Sequence, residues 1–176
     1  MNGARVKLLR TLQLDPSDRF VFERAAAPGE WAVSGAFVFA SADAPTMSHK
    51  ARVALRSGFL GVDSLGWSTL AEVAEGNAEL VAKRLAAQLI KHFGAPDMET
   101  ALSAAREEVA FAASLCDLPL GTVVAVQRSS TAEGLSERFR TLTARAHRSA
   151  PVFALVETND EPDEVDLTRL AVDGSL

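Results

Sequence analysis

The apolar positions of this chain change period along its length, and each change marks an element. Val6, Leu8, Leu12 and Leu14 fall on one parity, with Lys7, Thr11 and Gln13 on the other, which predicts a strand over residues 6–14. The cluster Asp15-Pro16-Ser17-Asp18 reads as a turn, because proline presets φ while Asp and Ser bond their own backbone. Residues 19–26, with Phe20 and Phe22, predict a second strand that Ala27-Pro28-Gly29-Glu30 breaks. In a third strand, Trp31, Val33, Phe37 and Phe39 share a face expected to look toward helices. Met47, Ala51 and Leu55 then recur every four residues, predicting a short helix over 48–57. The three glycines of residues 58–66 predict an irregular connection, and alternation through Trp67, Thr69, Ala71 and Val73 a fourth strand that Gly76 closes.

Two helices with clear punctuation follow. Asn77 caps the first, Val81, Leu85, Leu89 and Phe93 form its stripe, and Gly94 with Pro96 ends it. Asp97 caps the second, whose apolar face runs Met98, Leu102, Ala105, Val109, Ala112 and Cys116, with Arg106, Glu107 and Glu108 on a solvated side. Residues 122–128 and 135–143 read as a hairpin around 129–134, and 151–157 as a last strand. Strands at both ends of the chain with helices between them predict an α+β domain: a mainly antiparallel sheet of about six to seven strands with three helices packed on one face. The whole of 1–176 is expected to form a single domain with an acidic C-terminal tail over about 159–176.

Composition narrows the function classes. Lys plus Arg number 18 against 23 Asp plus Glu, giving a formal charge of −5, the wrong balance for a phosphate-binding surface. Nucleic acid is therefore disfavoured as a partner. The start of the chain has no apolar signal core, and no apolar run approaches the ~18 residues of a membrane span, so a cytoplasmic protein is expected. One cysteine makes no internal disulfide, and no Cys or His spacing suggests a metal site or a cofactor.

Several blocks look specific: Leu14-Asp15-Pro16-Ser17-Asp18 with Phe20-Val21-Phe22-Glu23, Gly29-Glu30-Trp31-Ala32-Val33-Ser34-Gly35, Phe59-Leu60-Gly61 with Gly66-Trp67-Ser68, and Phe111-Ala112-Ala113-Ser114-Leu115-Cys116-Asp117. Through them, over most of residues 5–170, the chain resembles a family of small alphaproteobacterial proteins classed as a domain of unknown function. The resemblance implies a bacterial, cytoplasmic, single-domain protein and no catalytic or binding residue.

The candidate chemistry is thin. Cys116 sits at a helix C-terminus beside Asp117, where dipole and carboxylate both disfavour a thiolate. His49, His92 and His147 form no ligand pair, and Ser34, mid-strand, lacks the glycines of a nucleophile elbow. Glu107 and Glu108 are neighbours that point apart on a helix. No catalytic residue and no metal ligand is assigned. Trp31 and Trp67 are stacking candidates near the 58–66 connection, although apolar alternation equally makes them core residues. Arg138, Arg140 and Arg145, within the arginine-rich 128–148, are candidates for an anion or, with Phe139 between the first two, for a base. The acidic tail is expected to lie against this segment, within the chain or across a dimer. The sequence thus reads first as a non-catalytic cytoplasmic accessory protein that binds a protein partner or forms a homodimer. A ligand-binding protein or enzyme with its site near 58–66 is the alternative, and anion or RNA binding through 128–148 the third reading.

Overall fold

A computed structural model of the protein describes residues 3–145 and 154–157. Among these residues eight strands form one sheet: β1 (Arg5–Leu12), β2 (Trp31–Val33), β3 (Phe59–Gly61), β4 (Trp67–Ser68), β5 (Leu70–Asn77), β6 (Val123–Thr131), β7 (Gly134–Arg145) and β8 (Ala154–Glu157). Their order across the sheet is β4-β3-β2-β1-β5-β6-β7-β8, and every ladder between them is antiparallel. Among the described residues three α-helices accompany it: α1 (His49–Ser57), α2 (Ala78–Phe93) and α3 (Met98–Ser114). The α+β class and the antiparallel sheet are as the pattern predicts. The expected acidic tail lies outside the described residues, as do His147 and Arg148.

Ladder partners share a face, so the register sorts the core. Leu9 pairs with Ala32 and Val73, Ala71 with Val124, and Val126 with Phe139, which puts these residues on one side of the sheet. Phe111 of α3 meets Phe139 edge-on at 5.8 Å, so α3 covers that side, with α2 beside it. Phe59 of β3 also lies 6.4 Å from Phe139, ring centre to ring centre. Four strands separate β3 from β7, a distance of roughly 24 Å in a flat sheet at about 4.8 Å per strand. The sheet is therefore strongly curved, and its concave side closes on α3.

The helical hairpin follows its sequence signals closely. Asn77 and Asp97 accept from the amides of Leu80 and Thr100, and Gly94 ends α2 in the left-handed region at φ 72°. Val81, Ala82, Leu85, Ala86 and Leu89 of α2 and Ala101, Ala105, Val109 and Ala112 of α3 are buried. The alanines let the two helices approach closely, and Arg106 ties them outside with two bonds to Glu79, at 3.0 and 2.7 Å.

The first forty residues depart from expectation. Residues 19–26 form no named strand: a three-ten turn over Pro16–Phe20, capped reciprocally by Asp15 and Asp18, takes the chain out of pleated geometry. Phe22 is buried against Phe39, Ala54 and Leu55, whereas Phe20 is exposed. The third strand ends at Val33. Gly35 adopts φ 76° and starts a three-ten turn over Ala36–Phe39, which sends Phe37 onto Phe93 of α2 and Phe39 onto Trp67. By register Ala32 shares the face of Val126 and Phe139, and Trp31 and Val33 lie on the opposite face, where Val33 is buried as well. Within 58–66, Phe59–Gly61 pairs as a strand, and Thr69 splits the expected 67–75 strand into β4 and β5.

Candidate functional site

One set of charged side chains converges inside the protein. In β6 the parity that buries Val124 and Val126 also carries Arg128 inward, and its side chain has no exposed surface. Its Nε donates to Glu137 Oε1 on the neighbouring strand at 2.6 Å. Its Nη1 donates to the carbonyls of Gly58 at 2.7 Å, Leu55 at 3.2 Å and Ala54 at 3.4 Å. Its Nη2 donates to the Ser34 carbonyl and, at 3.2 Å, to Ser34 Oγ. Ser34 Oγ in turn donates to Glu137 Oε1. On the far side Glu108 of α3 accepts the Gly35 amide at 3.0 Å.

This arrangement binds the fold together. A guanidinium has five N–H donors, and every nitrogen of Arg128 already has protein acceptors. Two of those acceptors are carbonyls of the last turn of α1, Ala54, which also accepts the Gly58 amide at 2.9 Å, and Leu55, and both lie at the negative end of the helix dipole. Arg128 thereby joins β6, β7, α1 and the end of β2. Burial pushes its pKa down, Glu137 and Glu108 hold it up, and it stays protonated. No donor remains for a substrate anion.

Glu108 belongs to the same cluster, which corrects its assignment to the solvated side: Arg106 and Glu107 are exposed, but Glu108 is half-buried. Burial raises its pKa above the ordinary 4.5, and nearby Glu137 adds to this, against the Gly35 amide and Arg128. A carboxyl so raised holds its proton to higher pH in the native protein than in the unfolded chain. Its contribution favours the native state below 4.5 and fades as pH rises through the native value. Glu108→Gln is therefore expected to melt higher than the wild type at pH 7, with the difference closing toward pH 4.5; a constant difference would show that its charge is not the cause.

The predicted site residues are not brought together. Trp31 lies under Arg10, whose guanidinium carbon is 5.6 Å from the ring centre, and beside Gly76, where a Cβ would stand 2.5 Å from the ring. Trp67 stacks on Phe39 at 5.0 Å and lines a groove of about 380 Å³ with Glu23, Arg24, Lys50 and Leu65, without Trp31. Arg138 is exposed and Arg140 half-buried on the outer side of β7. Phe139 between them points the other way, onto Phe59 and Phe111, so the three do not make a stacking platform. Arg145 ends β7, and its side chain lies outside the described residues.

Cys116 is 1 % exposed, and its thiol donates to the Ala112 carbonyl at 3.2 Å. Burial pushes its pKa up to about 11, which Lys7 only partly opposes. Thiol reagents should label the folded protein at well under a hundredth of the rate seen in denaturant; stoichiometric labelling within minutes at pH 7.5 would refute this. Among the described residues no three His, Cys, Asp or Glu side chains group as metal ligands, and no helix is long and apolar enough to cross a membrane.

No curated protein and no solved structure matches the chain. Residues 6–161 match the model of a family of unknown function (DUF6505).

Proposed function

Because the chain belongs to that family of unknown function, its role has to come from its own residues, and we propose that it is a non-catalytic accessory protein that docks on a protein partner. The observation that carries this reading is where apolar surface remains uncovered. At the turn of the helical hairpin, Ile90, Phe93 and Met98 are 38, 41 and 52 % exposed, and Phe37 continues the surface by its edge-on contact with Phe93. Large apolar side chains grouped on one end of a helix pair mark interaction surfaces more often than isolated ones do. The convergent polar cluster adds support, because its donors are occupied within the protein and it lines up no reacting group. The reading includes a single domain in an alphaproteobacterial cytoplasm and allows a second copy of the chain as the partner.

Cross-linked capture from the native cell, comparing the wild type with Phe93→Ser/Met98→Ser, tests the proposal. At least one cross-linked species, either a partner or the dimer seen by sedimentation velocity, should fall about tenfold with the variant. An unchanged set of species with a folded variant rejects the surface.

One observation favours the runner-up, a small-ligand protein or enzyme near 58–66: the groove at Trp67 places Glu23, Arg24 and Lys50 around an aromatic wall. A thermal-shift screen of anionic and aromatic metabolites, with Trp67→Leu as control, decides it. Anion or RNA binding through Arg138, Arg140 and Arg145 rests on residue type alone and ranks third.

A further inference from the structure

The C-terminal strand β8 pairs with β7 only over Leu142–Arg145 among the described residues, with Arg145 opposite Ala154 and Leu142 opposite Glu157. Its direction matters. β8 runs antiparallel to β7, toward the Gly134 end of the hairpin, and is the last strand in the sheet among the described residues. Nineteen residues follow, acidic at Asp160, Glu161, Asp163 and Glu164, with acid and apolar positions alternating through Glu164, Val165, Asp166 and Leu167. The same register continued would set Glu161 directly opposite the exposed Arg138, and proline, lacking an N–H, would end the ladder at the next position.

The hairpin tip toward which β8 runs carries two adjoining depressions. One, of about 510 Å³, is an apolar groove between the three-ten turn and the hairpin, walled by Phe37, Phe39, Ala40, Thr131 and Leu135. The other, of about 260 Å³, is lined by Arg52, Arg56 and Ser129, and Ser130 belongs to both. Helix α1, which supplies the arginines, also carries Lys50 and has no acidic residue, in a protein whose net charge is −5. An apolar slot bordered by cations matches a segment in which Val165, Leu167 and Leu170 are interleaved with Asp163, Glu164 and Asp166.

We infer that the protein's own residues 163–172 occupy this groove, with Val165, Leu167 and Leu170 in the apolar slot and the carboxylates toward Arg52 and Arg56. The fourteen residues after Pro162 span up to about 46 Å when extended, ample for the few residues between Arg138 and Gly134. Tethering also supplies an effective concentration on the order of millimolar, so a contact too weak to hold a free peptide suffices here. Exposed ion pairs are individually weak and screened by salt, so the apolar residues hold the segment and the charges select its register. The inference does not depend on the partner-docking proposal and survives its failure.

A paramagnetic label tests it on the full chain. Thr168→Cys places the only reactive thiol in the segment, since Cys116 is buried. A nitroxide there should broaden the amide resonances of residues 36–42 and 130–135, and Leu135→Asp/Arg56→Glu, a change confined to the groove, should remove most of that broadening. Broadening elsewhere, or none beyond the label's own neighbours, overturns the inference. Mixing unlabelled ¹⁵N protein with spin-labelled ¹⁴N protein separates the remaining source: broadening that appears in this mixture would assign the groove to the tail of a second copy and overturn the intramolecular contact.

Discussion

Arg128→Met is expected to cost about 3–5 kcal/mol of folding stability, the range for removing one partner of a buried charge pair. Methionine fills much the same volume, so the loss is electrostatic rather than steric. Glu137 is left mostly buried without its cation, and the carbonyls of Ala54, Leu55, Gly58 and Ser34 lose their shared donor. Against a total stability of ordinarily 5–15 kcal/mol this is a large fraction, visible as a lowered urea midpoint at unchanged slope. The double variant Arg128→Met/Glu137→Met should recover part of the loss, because it removes the stranded carboxylate as well. A single variant that loses less than about 1 kcal/mol, or a double variant no better than the single, would show that the cluster is not what joins α1 to the sheet. Hydrogen exchange should place the damage first at the last turn of α1, whose Ala54 and Leu55 carbonyls lose the donor that the guanidinium supplies.

The cluster is partly legible in the sequence. Val124, Val126 and Arg128 share a parity, so a strand that buries the valines must carry the arginine inward and must find it a counter-charge. Two features hid this. Five arginines between 128 and 148 invite a reading as one basic surface, although residues of opposite parity in a strand face opposite sides of the sheet. Glu137 and Arg128 are nine residues apart and meet only because the hairpin turn is two residues long, which fixes the register. Glu108 was less accessible: a helix position between Ala105 and Ala112 is inward by spacing, but its neighbours Arg106 and Glu107 gave the whole triplet a solvated look.

The same competition explains where the strand reading of residues 19–39 fails. Phe and Val favour strands, yet propensity is a weak prior beside specific tertiary partners. The Asp15/Asp18 cap bends the chain before Phe20, and the demands of Arg128 and Glu108 on Ser34 and Gly35 bend it again after Val33. By contrast α1, α2 and α3 begin at Ser48, Asn77 and Asp97, each accepting the backbone bond that its residue type predicts, because capping is a local interaction that sequence displays in full. The exposed Ile90, Phe93 and Met98 surface was visible only in part, since the 3.6-residue stripe assigns Phe93 and Met98 to the core, while the hairpin turn carries both past its edge.

Gly35→Ala should be the second most costly single change, about 2–5 kcal/mol, and it separates two causes that other glycines do not. Its φ of 76° charges any L-residue roughly 1–2 kcal/mol. A Cβ there would also stand 2.5 Å from Leu60 Cβ and 3.0 Å from the Trp67 ring, inside a packed region, where overpacking adds about 1–3 kcal/mol. Gly94 provides the control: its φ is 72°, but nothing lies within 4 Å of an added Cβ, so Gly94→Ala should show the backbone part alone. The Gly35 amide also holds Glu108, and displacing it removes the hydrogen bond that lowers that carboxyl's pKa. Gly35→Ala should therefore lose more stability at pH 8 than at pH 5, whereas Gly94→Ala should lose the same at both. Equal losses for the two variants at either pH would mean that the turn after β2 yields easily, and that Gly35 serves the backbone only and not the cluster behind it.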